Sequence, residues 1–132
     1  MNRQRIPFDE LGGEAPVRAL AERFYDAMDR TEPALARLHP LDEQGRVSRH
    51  SRDRFALFLI GWLGGPQDFV AQYGHPQLRR RHAQVPVDLA MRDAWMRCMG
   101  LAMEESGVEP ELRAYLEVSF AKAASFLRNR AT

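Results

Sequence analysis

The segment Gly74–His82 contains the residue types in this chain that are best suited to binding a metal. It reads Gly-His-Pro-Gln-Leu-Arg-Arg-Arg-His. Pro76 prevents a helix from entering the segment and Pro86 stops one from continuing, so the pattern predicts a short helix over 76–83. His82 then lies near the helix end, where the dipole stabilises a protonated imidazole and where a neutral one could bind a metal. Residue type alone favours a histidine that only stabilises the helix end. Other features of the sequence are therefore needed to support metal binding by His82.

A metal site built from several protein side chains is not predicted. Zinc sites use paired spacings such as C-x-x-C or H-x-x-x-H, and the sequence has neither. The candidate ligands are His39, His50, His75, His82 and Cys98. His75 is expected to make a backbone hydrogen bond in a turn. Cys98 is the only cysteine and cannot form an internal disulfide, which is typical of a reducing cytoplasm.

Length and charge exclude several classes of protein. The chain has 132 residues, which is enough for one hydrophobic core and too few for two. Lysine and arginine total 19 against 18 acidic residues, so we expect neither a nucleic-acid nor a membrane partner. The charged start contains Pro7 and is not expected to be a signal peptide, and the apolar run Phe55–Leu63 is too short to span a membrane. We therefore expect one cytoplasmic domain over 1–132 with a loose lead over 1–10.

Four stretches have apolar residues at the three- and four-residue spacing of helices with a buried face. The first runs from Pro16 to about Arg30, with Val17, Leu20, Phe24 and Met28 as its core positions. The second ends at Gly64-Gly65-Pro66, the third lies between Asp88 and Gly107, and the last begins at Pro110. The connections are predicted as a helical turn over Ala34–His39, a loop over Leu41–His50 and a helical turn over Gln67–Gln72. No stretch alternates as a strand does, so the predicted fold class is all-α.

Two all-α architectures remain open from these patterns. Aromatic residues and methionines at helical spacing usually form ordinary core, which favours a cofactor-free bundle. The glycine pairs at 12–13 and 64–65 and the proline-flanked His82 segment fit such a bundle poorly, because its helices need no breaks at these points. A fold that surrounds a cofactor accounts for both features.

The segment Gly74–His82 resembles the proximal segment of the second group of truncated haemoglobins, of bacterial type, whose pattern is Gly-His-Pro-x-Leu-Arg-x-Arg-His. Further segments similar to that family are Leu11–Tyr25, Trp62–Pro66 and Arg92–Met99. The resemblance covers about residues 10–128 and implies a two-over-two helical sandwich that binds haem b through His82. The sequence departs from the family at Gln84-Val85, where Pro-Phe is usual, and this change is expected to loosen the proximal loop.

A haem requires an axial nitrogen, a dry apolar cleft and cations for its two propionates. The resemblance assigns the first role to His82. Arg79 and Arg81 are the expected propionate partners because their charged guanidinium groups lie near that ligand and can bind a carboxylate through two N–H groups. Arg80 is expected to face solvent. The apolar residues expected to line the cleft are Phe58, Leu59, Phe69, Leu78, Val87 and Met91.

The resemblance also predicts the distal side, where a small ligand would bind. Tyr25 and Trp95 match the family's hydrogen-bond donors, although by residue type alone both are ordinary core or boundary positions. His39 stands where the family usually has tyrosine or phenylalanine, so the pocket is expected to be more polar and pH-sensitive. Ser51 is small, which predicts an open entrance, and Phe55 is expected to lie over the haem plane.

Three functions follow as hypotheses. The first is a haem protein that reversibly binds oxygen and other small diatomic ligands and carries out redox chemistry on them, such as nitric oxide dioxygenation or peroxide consumption, with an unidentified reductase. The second is a non-enzymatic oxygen carrier or gas sensor with the same haem, and the third is a cofactor-free interaction module. The broadly apolar helix over 52–63 could serve the core or a dimer interface, so the chain is expected to be a monomer or a homodimer.

Overall fold

The computed structural model describes residues 5–130, and this part of the chain is all-helical, as predicted. Its only β-type pairing is an isolated bridge between Leu41 and Val47. No helix in the described range is long and apolar enough to cross a membrane. The helices are α1 Pro7–Leu11, α2 Glu14–Thr31, α3 Pro33–Ala36, α4 Arg49–Trp62, α5 Asp68–Tyr73, α6 Leu78–Arg81, α7 Leu89–Glu105 and α8 Pro110–Phe126.

The core forms where α2 packs against α7 and α4, and α8 packs against α7. The predicted stripe of α2 is correct, since its four core residues are at most 1% exposed. They face fully buried Cys98, Met99, Ala102 and Met103 of α7. The interior is therefore assembled on one side of α7, which leaves room for a cavity near its first turns.

The chain before α2 differs from the predicted loose lead. Residues 1–4 lie outside the described range, but residues 7–11 form α1, with Pro7 in its first turn. The backbone N–H of Phe8 donates to the carbonyl oxygen of Leu63 at 2.9 Å. A Cβ at Gly65 would lie 2.5 Å from the Phe8 ring, so this glycine makes room for α1. Gly64 has φ +101° and ends α4 as predicted.

Two short helices near the cavity are shorter than predicted. The turn predicted over Ala34–His39 is α3 followed by non-helical turns. The helix predicted over 76–83 is the single turn α6, which begins after Gln77 at φ 47°. Pro76 and this left-handed residue keep the backbone non-helical until Leu78. His82 directly follows α6, near the predicted helix end.

Polar side chains cap the first turns of α4 and α7. Ser48 caps α4, and its hydroxyl accepts from the backbone N–H of Ser51 at 3.2 Å. The predicted loop over Leu41–His50 therefore ends two residues early, because α4 already begins at Arg49. Asp88 caps α7 by accepting from the N–H of Met91 at 2.8 Å.

Candidate haem pocket and ligand site

A cavity of about 600 Å³ lies between α2, α4, α7, α8 and the segment around α6. This volume is within the roughly 300–1,000 Å³ that is usual for small-molecule and cofactor sites. Every predicted site residue except Arg79 lines it. The predicted residues that line the cavity are Tyr25, His39, Ser51, Phe55, Phe58, Leu59, Phe69, Leu78, Arg81, His82, Val87, Met91 and Trp95.

His82 lines this cavity, and its ring is held in an orientation typical of a metal ligand. Its Nδ1 lies 2.7 Å from the carbonyl oxygen of Leu78. A carbonyl can only accept, so Nδ1 carries a proton, and in the neutral ring Nε2 then has the free lone pair. A hydrogen bond from the non-ligating nitrogen to a backbone carbonyl is the usual way to orient a histidine ligand. Both the tautomer and the ring orientation therefore suit iron ligation through Nε2.

Tyr25 and Trp95 provide two hydrogen-bond donors in the cavity wall. Neither the Tyr25 hydroxyl nor the Trp95 indole nitrogen has a hydrogen-bond partner among residues 5–130, so both remain available to a ligand. Burial raises the pKa of Tyr25 well above its usual value, although the charge of Arg52 opposes this shift. The hydroxyl is therefore protonated at neutral pH and can donate.

Phe24 holds these donors in place, a role that the sequence did not reveal. Its ring centroid lies 5.0 Å from those of Tyr25 and Trp95 and 5.1 Å from that of Phe55. Such aromatic pairs contribute about 0.5–1.5 kcal/mol each beyond burial of their area. Phe24 is 1% exposed and belongs to the predicted core stripe of α2, so its spacing signals only a core residue.

His39 is oriented in the same way as His82. Its Nδ1 lies 3.0 Å from the carbonyl oxygen of Leu35, so the neutral ring carries its proton there and Nε2 can only accept. Burial lowers the pKa of His39, although its backbone hydrogen bonds oppose the shift. Its ring meets that of Tyr25 edge-on at 5.6 Å. At neutral pH His39 therefore adds an acceptor to the pocket rather than a third donor.

Ser51 and Phe55 stand on successive turns of α4 and both line the cavity. The hydroxyl of Ser51 accepts a hydrogen bond from that of Ser48 at 3.1 Å, which ties it to the start of the helix. The remaining wall is largely apolar and includes residues of α8 that were not predicted. The unpredicted apolar residues are Leu35, Leu38, Pro40, Trp62, Val85, Phe120, Ala123, Ala124 and Leu127.

The arginines of the cavity differ from those predicted. Arg79 does not line it, and its guanidinium lies 5.1 Å over the Phe126 ring, beside a neighbouring groove that shares Phe58, Trp62 and Leu78 with the cavity. Successive residues of the one-turn helix α6 point in different directions, so Arg81 reaches the cavity while Arg79 faces away. Arg81 donates to the carbonyl oxygens of Pro76 and Tyr73. Arg54 and Arg92 also line the cavity and were not predicted, since each lies on another helix, outside the segment Gly74–His82.

Arg52 forms a buried ionic cluster behind the Tyr25 ring. Its guanidinium carbon lies 5.7 Å from the ring centroid, and its Nε donates to the carbonyl oxygen of Val47 at 2.9 Å. Its other nitrogens pair with the carboxylates of Glu22, Asp26 and Asp29. Arg52 thus joins α2, α4 and the loop between α3 and α4 on the distal side of the cavity.

Comparison with known proteins agrees with this architecture. The family model described as bacterial-like globin matches residues 7–129. The chain is 33% identical over 110 residues to the group 2 truncated hemoglobin YjbI of Bacillus subtilis (strain 168), which covers 83% of this chain and 78% of that protein.

Solved structures give the same result. The cold-adapted truncated hemoglobin of the Antarctic marine bacterium Pseudoalteromonas haloplanktis TAC125 is 43% identical, with a TM-score of 0.86 over 96% of this chain and 99% of that one. The truncated oxygen-avid haemoglobin of Bacillus subtilis is 30% identical, with a TM-score of 0.83 over 95% of this chain and all of that one.

The fold and the pocket together define a two-over-two globin, a class that binds haem and small gaseous ligands. This chain belongs to the bacterial-like globin family, and its relatives are truncated haemoglobins of group II. The predicted family and sandwich fold are confirmed, and membership of this family favours the haem hypotheses over a cofactor-free interaction module.

Proposed function

We propose that this protein binds haem b through Nε2 of His82 and uses its distal donors for chemistry on oxygen and related small ligands. The observation that carries the proposal is the 2.7 Å bond from Nδ1 of His82 to Leu78, which in the neutral ring places the lone pair on Nε2, in a residue that lines a largely apolar cavity. When bound, haem supplies an iron that binds diatomic ligands and changes oxidation state.

The cations that would hold the haem propionates are Arg81, Arg54 and Arg92. All three line the cavity, and Arg92 has a buried Nε without a hydrogen bond, although the Asp93 carboxylate lies 2.9 Å from it. A guanidinium can bind a carboxylate through two parallel N–H groups, which suits this role. Arg79 is excluded from this set because it faces Phe126.

Tyr25 and Trp95 are proposed to donate hydrogen bonds to a ligand in the cavity. Hydrogen bonds to charged groups contribute about 1.5–3 kcal/mol each, and about 1.4 kcal/mol corresponds to tenfold in affinity. One such bond can therefore slow ligand release about tenfold. A ligand held that long is delivered slowly but remains in place to react, and the same donors stabilise charge that develops on it.

Two donors that retain and polarise the ligand favour ligand chemistry over oxygen transport. Nitric oxide dioxygenation combines one nitric oxide, one dioxygen and one electron to give nitrate. Peroxide consumption takes two electrons and two protons to give two waters. Either reaction needs an external electron donor, so a reductase is the proposed partner, and the cytoplasm is the proposed location.

Stopped-flow measurement of oxygen release from the ferrous protein tests the proposal. We expect slow release from the native protein and release about tenfold faster from Trp95→Phe, which keeps the ring packing and removes the N–H. Trp62→Phe is the matched control, because it changes the other tryptophan that lines the cavity, which stacks on Phe120 at 5.0 Å. Fast release from the native protein, unchanged in Trp95→Phe, would favour the carrier instead.

A further inference from the structure

We propose that Asn129 is a positioning residue that holds the proximal loop, and with it His82, against the end of α8. The inference rests on the proposed role of His82 as the haem ligand. Asn129 lies three residues beyond the last residue of α8 and 47 residues from His82 in sequence.

The side chain of Asn129 bridges three points of the loop that follows His82. Its Nδ2 donates to the carbonyl oxygens of His82 at 3.1 Å and of Val85 at 2.8 Å. Its Oδ1 accepts from the backbone N–H of Val87 at 2.8 Å. An amide has two N–H donors and a carbonyl acceptor in one plane, so one side chain satisfies all three groups.

The backbone of residues 127–130, the tail that follows α8, also holds this loop. The N–H of Asn129 donates to the carbonyl oxygen of Val87 at 2.9 Å, and that of Arg130 donates to the same oxygen at 3.2 Å. The tail is anchored in turn by α8, whose Leu112, Leu116 and Phe120 are buried in the core. Asn129 therefore connects the proximal loop to a rigid part of the fold.

The loop has little else to hold it. Between α6 and α7 its own backbone bonds are those from His82 to Leu78 at 3.1 Å, from Ala83 to Arg80 at 3.3 Å and from Val85 to His82 at 3.0 Å. Pro86 has no N–H to contribute, and α6 is a single turn that cannot hold its shape alone. Leu78 orients the ring of His82 and accepts from its backbone N–H at 3.1 Å, whereas Asn129 ties the His82 carbonyl oxygen to the end of α8. Loss of the amide would release that oxygen and the loop after it from α8, and so misalign the ring.

Two variants and one control test the proposal in the haem-loaded protein. Asn129→Ala removes all three side-chain bonds, whereas Asn129→Asp keeps the acceptor for Val87 and loses both donors. Arg113→Ala is the control, because it removes the surface pair with Glu117 on the same helix and leaves the loop untouched. Three readouts are measured on each: amide hydrogen exchange of Val87, haem transfer to an acceptor globin, and the ferrous iron–histidine stretching band in resonance Raman spectra.

We expect Asn129→Ala to accelerate exchange at Val87 and haem loss by about tenfold each, and to shift or broaden the iron–histidine band. Asn129→Asp should shift the band with a smaller effect on exchange at Val87, and Arg113→Ala should change none of the three. A native band and native haem loss in both Asn129 variants would overturn the proposal. An iron–histidine band that persists in His82→Ala would instead overturn the assignment of His82 as the haem ligand. Even then, amide exchange at Val87 would measure whether the Asn129 hydrogen bonds hold the loop.

Discussion

Replacement of Arg52 by methionine tests the buried ionic cluster that supports the distal side of the pocket. The Arg52 side chain is 6% exposed, and methionine replaces its unbranched stem while removing the guanidinium and its charge. Asp26 and Glu22 are partly exposed, and Glu22 keeps its pair with Arg49 at 2.6 Å, so losing these pairs should cost about 0–1 kcal/mol each.

Asp29 determines the size of the effect. Its side chain is 12% exposed, and without Arg52 it keeps only one hydrogen bond, from the N–H of Val47 at 3.1 Å. Removing one partner of a buried ion pair costs about 3–5 kcal/mol, and the residual exposure and hydrogen bond place this case at the lower end. We therefore expect Arg52→Met to lower the free energy of unfolding by about 3 kcal/mol.

Urea denaturation followed by circular dichroism, at fixed protein and haem concentration, measures this loss as a lower midpoint at unchanged slope. Arg52→Met combined with Asp29→Asn is the informative double variant, because the side-chain amide that replaces the Asp29 carboxylate can still accept from Val47 without a charge. The double variant should recover about 1–2 kcal/mol, since it no longer buries an unpaired carboxylate. A loss below about 1 kcal/mol in the single variant, or no recovery in the double variant, would refute this reasoning.

Two further predictions concern His39 and the cavity arginines. The folded-state pKa of His39 is lowered by burial, so its contribution to stability is present above the unfolded pKa, about 6.5, and is lost as pH falls toward the folded value. His39→Phe should therefore flatten the fall in urea midpoint below about pH 6.5, and an unchanged pH profile would contradict this. Arg92→Ala should accelerate haem transfer to an acceptor globin severalfold while Arg79→Ala leaves it unchanged, and the reverse order would show that the arginines are wrongly assigned.

The fold was largely predictable because its signals are local. The α2 stripe, the Asp88 cap and the glycine stop after α4 all depend on residues within a few positions of each other, and all three agree with the structure. The position of α1 was not predictable, since it depends on Phe8 packing at Gly65, a contact between distant segments.

The cavity was predictable for a different reason. The resemblance of Gly74–His82 to a known proximal segment identifies the candidate ligand, and matched positions identify the distal residues, all of which line the cavity. Residues that act across elements had no such signal. Arg54 and Arg92 reach the cavity from helices α4 and α7, and Asn129 reaches the proximal loop from the chain end. Their roles arise from tertiary packing rather than from spacing along the chain.

The most direct test of the account is haem binding by a variant that lacks the His82 side chain. Native protein, His75→Ala and His82→Gly are titrated with haem, and ferrous spectra are recorded with and without added imidazole. His75 is the matched control, because its ring accepts a hydrogen bond from the N–H of Gln77 within the same segment and does not line the cavity. We expect His75→Ala to behave as native, whereas His82→Gly should lose stable haem binding and regain a native-like ferrous spectrum with imidazole. Unchanged affinity and an unchanged ferrous spectrum in His82→Gly without imidazole would contradict this expectation.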